Sequence, residues 1–152
     1  MEKTLSVSAI KDGTVIDHIA PGFAMTIVHL LRVMESKHCV TIGMNLSSSM
    51  GLKDLIKIEG RFLTEKETHE IALFAPKATI NFVKNYKIEK KIKASLPEII
   101  EKILVCPNHR CITNSETMGT WFFVEAFKNK INLRCKYCEK IFNREEIKKY
   151  NV

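Results

Sequence analysis

At 152 residues the chain is the length of one domain, or of two small ones if something besides a large core stabilises the second. With 45% hydrophobic and 27% charged residues it is neither disordered nor collagen-like, and it contains no run approaching the roughly 18 to 20 apolar residues of a membrane span. Met1-Glu2-Lys3-Thr4 lacks a secretory signal, so a cytoplasmic location is expected, and the formal charge of +7 sits entirely in residues 84–152, because residues 1–83 carry nine Lys/Arg against nine Asp/Glu.

In chain order, Leu5, Val7 and Ala9 alternate with polar residues as in a strand, and Lys11-Asp12-Gly13-Thr14 reads as a turn into a second extended run, Val15 to Ile19. Pro21-Gly22 breaks the chain. Phe23, Ile27, Leu30, Leu31 and Met34 then fall on one helical stripe that is expected to end near Ser36. Cys39 to Leu46 reads as a strand, residues 47–51 as a loop, and Asp54 to Gly60 as another strand. Thr64 with Glu67 forms a capping box, so a helix starts there, and Pro76 stops it. Ala78 to Tyr86 reads as the closing strand, followed by the lysine-rich passage Lys84 to Lys93. Ser95 and Pro97 suit the start of a short linker helix over residues 94–104.

The expected fold class is therefore α+β: a ferredoxin-like βαββαβ N-terminal domain over residues 1–93, then a small antiparallel β zinc-binding domain over residues 105–152. The second domain has few apolar residues of its own, and a core that small rarely folds without a staple. Cys106 and Cys111, then Cys135 and Cys138 after 23 intervening residues, supply one: two chelating pairs at the spacing of a four-thiolate zinc site. Four protein ligands leave no open position, so one structural Zn2+ per chain is expected, and its thiolates lower the formal charge from +7 to about +5. His109 in place of Cys111, or a redox role for Cys135-x-x-Cys138, are the competing readings of this cluster. Cys39 is expected to be a buried small hydrophobe.

No phosphate loop, nucleophile elbow or metalloprotease motif occurs, so no catalytic residue is assigned. Asp17 and His18, as strand neighbours, are expected on opposite faces, where they could not address one proton together. His29 is expected at the edge of the first helix's stripe, and His38 and His69 carry no pattern. A pI near 9.2 and the lysine passage leave a basic zinc-ribbon nucleic-acid binder as the alternative class.

Several separate stretches resemble the regulatory chain of aspartate carbamoyltransferase: Gly13-Thr14-Val15-Ile16-Asp17-His18-Ile19, Lys53 to Glu59, Leu73 to Asn81, Leu104 to Asn108, and Cys135 to Lys140. The resemblance implies a non-catalytic subunit with an allosteric nucleotide-binding domain and a zinc domain that contacts the catalytic chain. It further implies a homodimer, with CTP and ATP as effectors and UTP as a third candidate, and neither nucleic acid nor membrane as a partner. In the family pattern His18 and Lys91 reach phosphates, Asp17 and Lys57 the ribose hydroxyls, and backbone groups of Ala9, Ile10, Tyr86 and Ile88 the base. Val7, Val15, Asn81 and Val83 complete that pocket. Lys53 and Lys57, four apart on one strand face about 13 Å long, can converge on a triphosphate with Lys91.

Overall fold

A computed structural model describes residues 9–151, in two compact units, Met1–Ser95 and Leu96–Val152. The expected first strand, Val7 included, lies outside the described residues; Ala9 is exposed and irregular, and Ile10 is buried.

The first unit runs β1 (Gly13–Ile19), α1 (Ala24–Leu30), β2 (Val40–Ser48), β3 (Gly51–Glu59), α2 (Glu65–Phe74), β4 (Thr79–Lys84) and β5 (Lys87–Lys93). The sheet order is β2-β3-β1-β4-β5, antiparallel throughout. Its first four strands have the ferredoxin-like arrangement, and β5 adds a fifth. Ile16, Ile56, Ile58 and Ile80 bury one sheet face, with Ile27, Val28, Ile71 and Leu73 of the two helices also fully buried. Thr14, paired with Ile58, is buried on that face, whereas Thr79, paired with Asp17, is buried on the opposite one. Gly13 has φ 141°, and a Cβ there would lie 2.1 Å from the carbonyl oxygen of Ile58, so only glycine fits where β1 crosses β3.

The capping box is present as expected: Thr64 Oγ1 accepts from the Glu67 amide, the Glu67 carboxylate accepts from the Thr64 amide, and α2 ends at Phe74 ahead of Pro76. The first helix is shorter than its apolar stripe. Arg32 takes φ 50° and breaks it, leaving a 3-10 turn over Val33–Glu35. The expected loop at residues 47–51 is only a tight connection, because β2 and β3 pair as far as Ser48 and Gly51. The lysine passage is not a tail to the sheet but its edge strand. Asn85 and Tyr86 both take positive φ, 49° and 64°, the signature of a two-residue hairpin turn, and β5 then pairs with β4. Lysine is what a solvent-facing edge strand needs to resist pairing with another chain.

In the second unit, β6 (Ile99–Glu101), α3 (Ile112–Ser115), β7 (Trp121–Phe127), β8 (Lys130–Cys135) and β9 (Ile141–Asn143) form a four-stranded antiparallel sheet in sequence order, with α3 a single turn beside it. The linker helix expected over residues 94–104 is corrected by this: Ile99, Ile100 and Glu101 pair with Phe123, Phe122 and Trp121. Ladder bonds and burial of Ile100 outweigh the local capping signals. The core is small, comprising Ile100, Leu104, Phe122, Leu133 and Ile147 with three of the cysteines.

Candidate functional sites: a four-cysteine centre and an open sheet face

The first knuckle of the second unit is built by short side chains. Asn114 Nδ2 donates to the carbonyls of Cys106 and Asn108 at 3.0 and 2.7 Å, and the Cys111 amide donates to the Asn108 carbonyl at 2.9 Å. The second knuckle turns through Glu139 at φ 63°, with the Cys135 amide donating to the Lys140 carbonyl and the Glu139 amide to the Cys135 carbonyl. These turns bring Cys106, Cys111, Cys135 and Cys138 together, every Sγ within 4.8 Å of the others. Cys106 and Cys138 are 3.8 Å apart, as are Cys111 and Cys135. Sulfurs about 2.3 Å from a tetrahedral ion are separated by about 3.8 Å, so the donor set and its dimensions fit a bound metal.

Electrostatics inside the cluster are divided. Burial pushes the Cys106 thiol well above its ordinary range, beyond what the Asn108 amide recovers. Burial also pushes Cys138 up, but the Lys140 amide, the Asn108 side chain and the neighbouring thiols bring it down to about 7. Cys138 is thus the thiol readiest to lose its proton to an incoming cation. Thr113 Oγ1 donates to Cys111 Sγ at 3.1 Å. His109 is exposed and lies outside the cluster, so Cys111 and not His109 is the fourth member; the pairing across knuckles also removes the reading of Cys135 and Cys138 as a separate redox pair. Cys39 is corrected from buried to exposed: it sits just ahead of β2, and a hydrogen bond with Glu59 holds its thiol up.

On the first unit, the sheet face away from the helices carries the other candidate residues. The strand registers place Lys57, Val15, Asn81 and Lys91 in one row across β3, β1, β4 and β5. Val83 and Ile88 pair in a neighbouring row. Tyr86 and Ile88 are exposed, and the Tyr86 amide already donates to the Lys11 carbonyl at 2.9 Å, which leaves the Tyr86 carbonyl as its backbone group for a ligand. Asn81 is buried, and among the described residues its Oδ1 has no hydrogen-bond partner. A buried acceptor without a donor is costly, and Asn81 stands between Val15 and Lys91 in that row.

Asp17 and His18 correct the rule of alternating faces. The register between β1 and β3 shifts after Ile16, and His18 takes φ 58° in that bulge, so the two neighbours end on the same side with His18 Nδ1 3.8 Å from Asp17 Oδ2. Lys53 Nζ lies 2.8 Å from Asp17 Oδ1, and the His18 amide donates to that oxygen at 2.7 Å. Burial alone would raise the Asp17 carboxyl, yet Lys53 and His18 hold it below the usual range. Burial lowers the Lys57 ammonium, against the pull of Asp17. Two residues escaped the reading of the sequence. Lys93 shares the row of Asp17 through Thr79 and was legible only as alternation with Lys91. Asp54, fully buried, accepts amides from Gly22, Ala24 and Asn45, for which the sequence offers no local signal.

Comparison with known proteins agrees with this division. Residues 5–95 match the family model described as aspartate carbamoyltransferase regulatory chain, allosteric domain, and residues 98–148 the one described as its metal binding domain. Proteins named aspartate carbamoyltransferase regulatory chain are similar over nearly the whole length. The one from Chromobacterium violaceum is 46% identical over 146 residues, 95% of this chain and 96% of that protein. Those from Pyrococcus horikoshii, at 47% over 94% and 95% of the two chains, and Photobacterium profundum, at 44% over 99% and 98%, extend the likeness to distant sources. The relatives are named as the regulatory and not the catalytic chain, in keeping with a subunit to which no catalytic residue is assigned. With an allosteric and a metal-binding half matched in order, the chain belongs to the family of aspartate carbamoyltransferase regulatory chains.

Proposed function

We propose that this chain binds CTP and ATP on the open face of its five-stranded sheet and transmits their binding to the catalytic chain of aspartate carbamoyltransferase, in pyrimidine biosynthesis. The observation that carries the reading is the row Lys57, Val15, Asn81, Lys91, with the buried Asn81 acceptor, which has no partner among the described residues, in its middle. Both effectors present an amino group on the base that can donate to such an acceptor, and a triphosphate that needs cations. A close ammonium–phosphate pair gains about 4 kcal/mol before desolvation at an effective dielectric near 20, so Lys57 and Lys91 with His18 suffice to hold the anion. Asp17 can only accept hydrogen bonds when ionised, which suits ribose hydroxyls, and its link to Lys53 fixes its direction.

The cluster of Cys106, Cys111, Cys135 and Cys138 holds one zinc, which supplies no chemistry beyond tying the two knuckles into a rigid surface for the catalytic chain. Zinc analysis gives one ion per chain and a colourless protein; a coloured iron-loaded protein from cells supplied with zinc rejects the assignment.

Homodimerisation is assigned to β2. Among the described residues this nine-residue strand has no partner on its outer side and exposes Ile42 and Met44, whereas the opposite edge, β5, is studded with lysine. CTP is expected to favour the low-activity quaternary state and ATP to oppose it, each by fitting one state better. Catalytic trimers assembled with this chain test the whole reading: CTP raises the aspartate concentration needed for half-saturation and ATP lowers it. A fully assembled complex indifferent to both rejects it.

A further inference from the structure

The helix-facing side of β4 and β5 carries a cleft that none of these roles uses. It has a volume of about 450 Å³ and is lined by Phe62, Leu63, Phe82, Lys84, Glu89 and Lys90. Phe62 precedes the capping box of α2 and is 43% exposed; Phe82 is half-buried on β4, and their ring centroids lie 6.0 Å apart with planes tilted by 49°. Both rings line the cleft, so a flat guest there would lie against aromatic surface. Lys84 Nζ stands 5.7 Å over the Phe62 ring and 3.6 Å from Glu89, so these two charges offset one another. Lys90, exposed and directly paired with Phe82 across β4 and β5, leaves the rim with a single positive charge.

From this geometry we infer that the Phe62–Phe82 cleft is a second ligand site, taking a planar aromatic molecule with one negative charge. The volume lies in the range of small-molecule pockets, Phe62, Leu63 and Phe82 supply apolar and aromatic wall, and the net charge of the rim is complementary to a carboxylate on a flat ring. A nucleic-acid strand is not the occupant, because stacking along a polymer needs successive aromatic platforms and this cleft offers one pair. The site is placed to matter. Phe82 and Lys90 stand back to back with Asn81 and Lys91 on the same two strands, and the β4–β5 register shifts immediately after Phe82. A guest wedged beside Phe82 therefore acts on the strand segment that carries Lys91.

Titration of zinc-loaded full-length chain with 2-naphthoate, followed by amide NMR, tests this. The expected result is concentration-dependent shifts at Phe62, Phe82 and Lys90, retained when CTP is present. The neutral 2-naphthol binds about fivefold more weakly, and Lys90→Glu reverses that preference, as expected when the exposed rim cation becomes an anion. Phe62→Ala, at a position exposed enough to leave the fold intact, weakens 2-naphthoate about tenfold. Shifts confined to other regions, or binding that survives Phe62→Ala and Lys90→Glu unchanged but is lost in Lys57→Ala, overturn the inference and leave the nucleotide reading untouched.

Discussion

Nζ of Lys53 lies 2.8 Å from Oδ1 of Asp17, so one of the lysines that the sequence offers to a triphosphate is already engaged with a carboxylate. In the proposed nucleotide site Lys53 would therefore act through Asp17. Lys53→Met is expected to weaken CTP about fivefold by leaving Asp17 unheld, while Lys91→Met, which removes a cation from the row itself, weakens it by about tenfold or more. Calorimetric titration orders the two variants.

The same pair sets an acid dependence. Asp17 has a folded pKa below its unfolded value, so its contribution to stability is present above the unfolded value near 3.9 and is lost as pH falls through the folded one. The difference in unfolding free energy between wild type and Asp17→Asn should therefore shrink as pH drops below about 4. Urea melts at a series of pH values measure it.

Lys57 predicts the opposite limb. Burial depresses its ammonium in the free protein, and a bound polyphosphate restores it. Binding then takes up protons at alkaline pH, and CTP affinity falls as pH rises through the free-state pKa of Lys57. Lys57→Gln should bind more weakly but lose that part of the slope, as read from calorimetry in buffers of different ionisation enthalpy.

Removing one sulfur should have an all-or-none effect. Structural zinc sites contribute on the order of 10 to 16 kcal/mol of apparent folding free energy, far more than the small core around Phe122 and Leu133 can replace. Cys138→Ser is expected to lose the metal, the dispersed NMR signals of β6 to β9, and attachment to catalytic trimers. Retention of stoichiometric zinc together with assembly would falsify the four-thiolate centre.

Asp54 carries a purely structural prediction. Its carboxylate, with no exposure, receives three backbone amides at 3.0, 3.3 and 2.9 Å, from Gly22, Ala24 and Asn45. Asp54→Ala strands those donors and should cost about 3 kcal/mol or more in chemical denaturation.

How much of this was legible follows from where each signal lives. The capping box Thr64/Glu67 and the cysteine spacing are local, so sequence alone locates them. The bulge at His18 and the amide hub at Asp54 depend on partners 9 to 40 residues away, and alternation or composition cannot register them. β5 was not read as a strand, because the lysines that protect an edge strand also read as a basic, solvated passage. In β6 the helix signals of Ser95 and Pro97 were real but weaker than pairing with Phe122 and Phe123.

The unlike edges of the five-stranded sheet have a consequence for growth. β2, which exposes Ile42 and Met44, is the margin at which the proposed pairing of two copies would occur, while β5 carries ammonium groups. In such a dimer, addition about a two-fold axis would use up that margin in a single event, and what remains on either flank, among the described residues, is cationic. A molecule with two sticky margins would polymerise into ribbons; pairing through β2 alone would be self-terminating.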